Sequence, residues 1–474
     1  HQMNTITWKD YEGLDGFGAG PQFSAEQLDA LQKALVAGND VNNPGTAAGV
    51  GFPYRTESLE KTLKNVSFSM PNLKFFKALM KLPAYNTVEE FNRIKSFGSQ
   101  TGGFMAEGVL PGADDSTTER ATVKIKYMGT LRAVTHQASL IRAAHGNLIA
   151  NEVVNGTMWL LQMLERALFQ GHSGLSDIQF DGFDKQIVDN SPAANTVDMR
   201  GAPLDEATLI DMSQIIAAAP NFGIPTHIHM SPQTKSDLIK TFFPKARYEL
   251  MGQKDGKVGL DINSFTSPAG DVQFESNVFI DDGGAPPAAN GPSATRPAAP
   301  TISSGATSPP NALSKFGASD AGSYYYQIVA FNDYGNSDPV DISGGPASVA
   351  IAAGDKLTFG VTPASSATKW YQLYRGKVGG AAGALRLIAR IPNAAGAGAT
   401  TVNDYNDVLP YCTTAWMWQQ NLDCMSLKQL APMLKIPLAV VDLSVRWAQV
   451  LYCAPTLYAP GRATRIINIG RSGL

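Results

Sequence analysis

Leu148-Ile-Ala-Asn-Glu-Val-Val-Asn-Gly-Thr-Met-Trp-Leu-Leu-Gln-Met-Leu-Glu-Arg-Ala-Leu-Phe-Gln170 organises the chain. Ile149, Val153, Leu160, Leu164 and Leu168 form one stripe, and Asn151, Asn155, Gln162 and Arg166 form the opposite one. The spacing predicts a helix over 148–170, about 34 Å long at 1.5 Å per residue. Gly171 is its expected stop.

Upstream of this helix, residues from Tyr85 to His136 have strand character. Arg120-Ala-Thr-Val-Lys-Ile-Lys-Tyr-Met128 alternates, with Val123, Ile125 and Tyr127 to one side and Lys124 and Lys126 to the other. Between the arms, Gly98 to Thr118 is rich in Gly, Ser, Thr and Asp. The expectation is a two-stranded excursion with a flexible tip, marginal by itself and needing another surface. Arg120, Lys124, Lys126 and Arg132 make a positive stripe, with Glu107, Asp114, Asp115 and Glu119 at the tip and base. The stripe reads either as edge charge that blocks aggregation or as complementarity between neighbouring subunits. Residues 1–55 carry one helical segment, Ser24 to Val36, capped by Ser24 with Gln27 at the capping-box position. They form an arm with little core. Short helices are expected near Leu59–Leu63 and Lys74–Leu82.

Downstream, Asp205 caps a helix with Leu209, Met212 and Ile216 on one face, ended by Pro220. Ile224 to Met230 reads as a strand, and Ser231-Pro232 opens a helix to about Phe243. From Asp282 to Pro310 the chain turns dense in Pro, Gly, Ala and Ser, which marks a linker. Strands at Ser323–Asn332, Lys356–Val361, Trp370–Arg375 and Leu385–Ile391 have the spacing of a small β-sandwich. Beyond Tyr405, strands are expected at Leu438–Val445, Trp447–Cys453 and Ala463–Ile469. The sandwich is therefore an insertion in an α+β domain.

The 474 residues allow two to four domains at roughly 100–200 residues each. A hydrophobic share of 44% argues against disorder. Charged residues are 17%, against about 25% in a typical soluble domain. Such a surface calls for cover, and other chains are the natural cover. Net charge is 38 − 41 = −3, which excludes wrapping nucleic acid by charge alone. Cys412, Cys424 and Cys453 have no C-x-x-C spacing, so neither a disulfide framework nor structural zinc is expected, and a reducing compartment is the default. No run of about 18 apolar residues suggests a membrane span, and no signal peptide is visible.

Chemical motifs are weak. Gly16-Phe-Gly-Ala-Gly20 lacks the strand that a dinucleotide fingerprint follows. His227-x-His229 shares a strand face without a third ligand nearby. His136, His145 and His172 flank the long helix without a nucleophile turn. The paired acids Glu89-Glu90 and Asp114-Asp115 would face opposite ways on strands and read as solvated charge. Trp416 and Trp418 read as core. No catalytic residue, metal or cofactor is expected.

In combination, three stretches resemble the major capsid proteins of tailed bacteriophages, the Hong Kong 97-type shell fold. Gly102-Gly-Phe-Met-Ala-Glu-Gly108, Pro111, Asp114-Asp115 and the alternating Thr122 to Tyr127 are similar to that family's extended loop. Ile224-Pro-Thr-His-Ile-His-Met-Ser-Pro-Gln-Thr234 is similar to the axial domain's strand-to-helix turn. Pro432 to Pro437 and Arg465-Ile-Ile-Asn-Ile-Gly470 are similar to its last strands. Residues 284–405 resemble an immunoglobulin or fibronectin type III-like module through Tyr324-Tyr-Tyr-Gln-Ile-Val-Ala-Phe-Asn-Asp-Tyr-Gly-Asn-Ser337, without a Cys pair.

The resemblance implies an N-terminal arm over 1–55 and a capsid core over 56–282 with extended loop 85–136 and spine helix 148–170. It further implies the inserted sandwich 284–405 and C-terminal core strands over 406–474. It implies self-assembly into hexamers and pentamers of an icosahedral shell around double-stranded DNA, with the sandwich on the outer surface. Intersubunit contacts would come from Phe104, Glu107, Asp114, Asp115, Arg120, Lys124 and Lys126. Expected partners are portal, scaffolding or decoration proteins and, non-specifically, packaged DNA; no membrane is involved. The location is the virion capsid, assembled in the host bacterial cytoplasm. Some members join subunits by a Lys–Asn bond; none is expected here. Fifty-five residues of arm are too few for a fused scaffold, so that segment was cleaved or never present. The competing readings are an adhesive or carbohydrate-binding surface protein displaying the sandwich, and a hydrolase with an accessory β-module.

Overall fold

Asn147 opens the long helix. Its side-chain oxygen accepts from the N–H groups of Ile149 and Ala150, and the helix runs Leu148–Gln170 before closing at Gly171. The computed structural model that places it describes residues 67–99, 103–141, 147–246, 262–280, 283–394, 398–439 and 442–471. The expected arm over 1–55 with its helix, the helix near 59–63, the Gly16–Gly20 motif, Gly102 and His145 lie outside the described residues.

Ahead of the long helix come a short helix Lys74–Ala78, β1 (Lys81–Pro83), β2 (Val88–Ser96), β3 (Thr117–Lys124) and β4 (Lys126–Thr135). After it come helices Phe183–Asn190, Glu206–Ala217 and Pro232–Ala246, interleaved with β5 (Thr196–Asp198) and β6 (His227–Met230) and followed by β7 (Ser264–Ser267) and β8 (Gly270–Ser276). Next are β9 (Thr301–Thr307), β10 (Gly322–Tyr324), β11 (Tyr326–Asn332), β12 (Gly335–Asn336), β13 (Val340–Asp341) and β14 (Val349–Ile351). Then come β15 (Leu357–Thr362), β16 (Trp370–Arg375), β17 (Arg386–Pro392) and β18 (Thr400–Asp404). The last strands are β19 (Thr413–Trp418), β20 (Met425–Pro437), β21 (Ser444–Leu457) and β22 (Ala463–Ile469). The class is α+β.

Two sheets carry the core. One has the order β1-β20-β21-β4 and the other β5-β22-β19-β6-β8-β7. The C-terminal half of the long helix buries Leu160, Leu164, Leu168 and Phe169 against Trp416 and Trp418 of β19 and against Leu427, Leu451 and Cys453 of the first sheet. Each such side chain contributes about 1.5–3 kcal/mol by leaving water. The N-terminal half is less covered: Ile149 and Val153 are only half-buried. Gly156 explains how the sheet still approaches there. A Cβ at 156 would sit 2.0 Å from Gln449 Oε1, and Gln449 Nε2 donates to the Val153 carbonyl at 2.8 Å. Helix Glu206–Ala217, capped by Asp205, buries Leu209, Met212 and Ile216 with Ile228, Met230 and Ile466.

The inserted strands pack around their own cluster. The sheet β12-β11-β16-β17, with β13 also on β11, meets β18-β15-β9 across Tyr326, Ile328, Leu373, Phe359, Val361 and Val402.

Several expectations are corrected. Of the segment Leu438–Val445, expected as a strand, only Ser444 and Val445 are strand, at the start of β21; its other described residues belong to the reversal between β20 and β21, since Pro437 lies opposite Trp447. The ladder of β6 begins at His227 rather than Ile224, past Pro225, which has no N–H to offer. The helix expected over 74–82 stops at Ala78, because Lys81–Pro83 is drawn out by parallel pairing with β20. The helix from Pro232 continues to Ala246. The Pro- and Gly-rich stretch expected to be a linker includes β9. Ahead of it, Asn290 and Asn336 exchange both backbone bonds and Asn336 Nδ2 holds the Ala288 carbonyl. The excursion is two-stranded only through β2 and β3. From Lys126 the chain joins β21, paired from Lys126 opposite Cys453 to Thr135 opposite Ser444.

Candidate assembly interface

The loop of β2 and β3 has a fastened base. Glu89 accepts from the N–H groups of Tyr85 (2.9 Å) and Asn86 (3.1 Å), and from Lys428 Nζ of β20 (3.2 Å). The Tyr85 N–H is the largest influence holding the Glu89 carboxyl below its ordinary range. The Phe91 ring meets Tyr458 edge-on at 4.9 Å. Ile125 sits with Ala84 and Ala454 in a small buried cluster, and its N–H donates to the Thr87 carbonyl. In sequence Glu89 reads as solvated charge, because nothing local signals its distant partner Lys428.

Ile125 also breaks the alternation. It lies between β3 and β4, and the phase shifts there as the chain leaves one ladder for another. Tyr127, expected to face the same way as Val123 and Ile125, is 60% exposed beside the Tyr452 ring. Lys124 is exposed and makes no ion pair among the described residues. Lys126 is half-buried and donates to the Asp177 carbonyl of its own chain. The structure therefore does not bring the two lysines together as one exposed stripe.

Midway along the loop, Arg93 Nε (2.8 Å) and Lys95 Nζ (3.0 Å) both reach Glu119, whose carboxyl is held down to about 2, chiefly by the Arg93 bond. Arg120 pairs loosely with Glu90 at 3.4 Å, both well exposed. At the neck of the tip the Ser99 N–H donates to Asp114, and a Cβ on Gly98 would meet that carboxylate at 2.6 Å. With φ at +148°, position 98 requires glycine. Beyond the neck the described tip is open. Phe104 is fully exposed, Phe97 90% and Leu110 89% exposed, and Glu107 and Asp115 face solvent. From Phe97 to Ser116 the acids are Glu107, Asp114 and Asp115, with no Lys or Arg. The tip is thus an apolar, acidic surface on a fastened base. Of its apolar anchors, sequence reasoning had singled out Phe104 alone. Phe97 and Leu110 were visible as large side chains in a Gly- and Ser-rich run.

Elsewhere the chemistry is closed. His229 is buried with Nε2 3.1 Å from Gln420 Oε1, and burial pushes its pKa down to about 3. Among the described residues no group of three His, Cys, Asp or Glu could hold a metal. Burial lifts the thiols of Cys412 to about 11 and Cys453 to about 12, so neither is a ready nucleophile. Trp416 and Trp418 are core, as expected, at 1% and 0% exposure. Sequence reasoning missed Glu165. It is wholly buried in the long helix and accepts from the Phe75 and Phe76 N–H groups at 2.8 Å each and from Asn277 Nδ2 at 2.6 Å. It sits between Leu164 and Leu168 with no local sign of its three partners. No helix of the described residues is long and apolar enough to cross a membrane.

No family model matches the chain. It is similar to the major capsid protein of Staphylococcus phage S25-3, 25% identical over 454 residues that cover 90% of this chain and 92% of that protein. The major capsid protein of Staphylococcus phage K is 24% identical over the same shares. The putative major capsid protein of Enterococcus phage phiEF24C is 25% identical over 88% of this chain and 89% of that protein. Among solved structures, the capsid of the native GTA particle is 9% identical, covers 90% of this chain and 99% of that chain, and has a TM-score of 0.47. The capsid of cyanophage P-SCSP1u is 7% identical over 90% and 96%, with a TM-score of 0.45.

Proposed function

We propose that the chain is a phage major capsid protein, the role its relatives carry, and that it builds an icosahedral shell of hexamers and pentamers around the double-stranded DNA of a tailed phage. Its role is structural and its place is the virion capsid. The fold we assign is the Hong Kong 97-type shell fold, divided into arm 1–55, core 56–282 and 406–474, and sandwich 284–405. The observation that carries this reading is the loop tip, where Phe104 stands fully exposed on a base tied down by Glu89 and Lys428. Several large apolar side chains exposed together beyond such a base mark a protein–protein contact. Phe104, Glu107, Asp114, Asp115, Arg120, Lys124 and Lys126 are its proposed contact residues. Charge of 17% overall fits extensive burial between copies, since interface cores are depleted in charge.

The remaining parts follow from assembly. Many modest contacts make a strong array because the array is multivalent. A net charge of −3 leaves packaged DNA confined sterically, with counterions on its phosphates and only non-specific protein contacts. Portal and scaffolding or decoration proteins complete the particle, which assembles in the host bacterial cytoplasm. No catalysis and no Lys–Asn crosslink are part of the function. The immunoglobulin or fibronectin type III-like sandwich is displayed outward. Its separate cluster supports the expectation that deleting 290–404 leaves assembly competent; loss of all assembly would count against that boundary.

Electron microscopy of the purified protein tests the reading. Closed shells or capsomer rings are expected. A monodisperse monomer under all assembly conditions would favour the adhesive surface protein instead.

A further inference from the structure

Sandwich insertions on two chain crossings are by default free to swing. This one is held at two walls. At the first, Arg200, between β5 and helix Glu206–Ala217, donates to the Asn406 carbonyl (2.7 Å) and the Lys315 carbonyl (2.8 Å) and pairs with Asp320 (3.2 Å). Asn406 is itself buried and accepts from the buried Arg375, which pairs with Asp404 at 2.7 Å. On the core side, Asn468 of β22 fixes the chain just after it leaves the sandwich, holding the Asp407 carbonyl at 2.8 Å and taking the Leu409 N–H at 2.7 Å. At the second wall, Arg390 of β17 donates to Gln170 Oε1 (2.8 Å) at the end of the long helix, and Ser176 donates to Asp333 (2.7 Å).

The backbone gives an independent sign. Arg200, Asn406, Tyr411 and Asn468 have φ of 49°, 63°, 67° and 56°, four of the five non-glycine residues in the left-handed region among the described residues. Such conformations persist only where their surroundings over-determine them. Four of them sit at or beside the first wall. One polar seam alone would act as a hinge; a second on a different part of the core removes the rotation.

We propose that the sandwich of β9–β18 is a fixed part of the subunit, with Arg200 and Arg390 as the positioning residues of its two seams. The claim concerns the single subunit and stands or falls independently of shell assembly. Calorimetry of the dispersed, unaltered subunit should give one cooperative transition that includes the sandwich; two resolved transitions would overturn the proposal. The double variant Arg200→Ala with Arg390→Ala should split the transition. Amide exchange over 405–412 should also speed up on the order of tenfold, the effect of losing about one charge-assisted bond. Arg200→Lys with Arg390→Lys, which keeps a donor in each seam, should restore the single transition. A double alanine variant that melts as one unit with unchanged exchange would overturn the proposal.

Discussion

Two regions of this molecule are built from the same kind of side chain and end in opposite surroundings. Under the long helix, Phe75, Phe169, Phe183 and Trp418 are all 0% exposed, with Phe75 stacked on Phe169 at 4.7 Å and on Trp418 at 5.1 Å. At the loop tip, Phe97, Phe104 and Leu110 are all at least 89% exposed. The first region is finished within the chain. The second presents the same kind of side chain, and nothing among the described residues covers it; in the proposed reading its cover comes from neighbouring copies. Substitutions in the two regions should therefore separate folding from assembly.

The largest expected effect is in the finished region. Phe169→Ala should cost about 3–5 kcal/mol of subunit stability through loss of transfer energy and a cavity, read by denaturant unfolding. A loss below about 1 kcal/mol would mean that the aromatic cluster is not the core it resembles. Next is Glu165→Ala, which strands the Phe75 and Phe76 N–H groups and the Asn277 amide. At about 1–3 kcal/mol for a buried donor left unpaired, several kcal/mol should be lost. Burial is the main cause that lifts the Glu165 carboxyl above its ordinary 4.5, against the pull of those donors. A folded-state pKa above the unfolded one lends stability that is full below about 4.5 and is lost as pH rises through the raised value. Glu165→Gln should flatten that part of the stability–pH curve; an unchanged curve would show that the carboxyl does not titrate there.

Gly156→Ala gives a smaller effect with an informative sign. In an exposed helix it would stabilise by up to about 1 kcal/mol. Here the new methyl meets Gln449, whose amide is held against the helix, and overpacking of this kind costs about 1–3 kcal/mol. Phe104→Ser should move subunit stability by no more than about 0.5 kcal/mol, while the yield of assembled particles, counted by sedimentation, falls sharply. Smallest is Glu119 at mid-loop. The contribution it makes to holding β2 on β3 is full above 4.5 and lost only as pH falls through about 2, a titration that NMR of the side chain would follow.

What sequence could tell divides along the same line between local and distant. The bounds Leu148–Gln170, Trp370–Arg375 and Ala463–Ile469 were legible, because periodicity, caps and β-branched runs are written within the element itself. The partners of Glu165 are 89 to 112 positions away, and Lys428 is 339 from Glu89; no pattern in a short window encodes them. Tyr127 failed for a related reason. Alternation runs through Ile125 in sequence, but the ladder changes partner there. The loop was legible as an excursion that needs support, whereas which of its apolar side chains stay bare depended on the fold of its base.

The central claim is that the loop tip is bare on the single subunit and covered by other copies in the particle. Amide hydrogen exchange over residues 103–116, measured on dispersed subunits and on assembled particles of the same protein, tests it directly. Fast exchange in the dispersed form and strong protection in the particle are predicted. Equal exchange in both states, whether fast or slow, would contradict it.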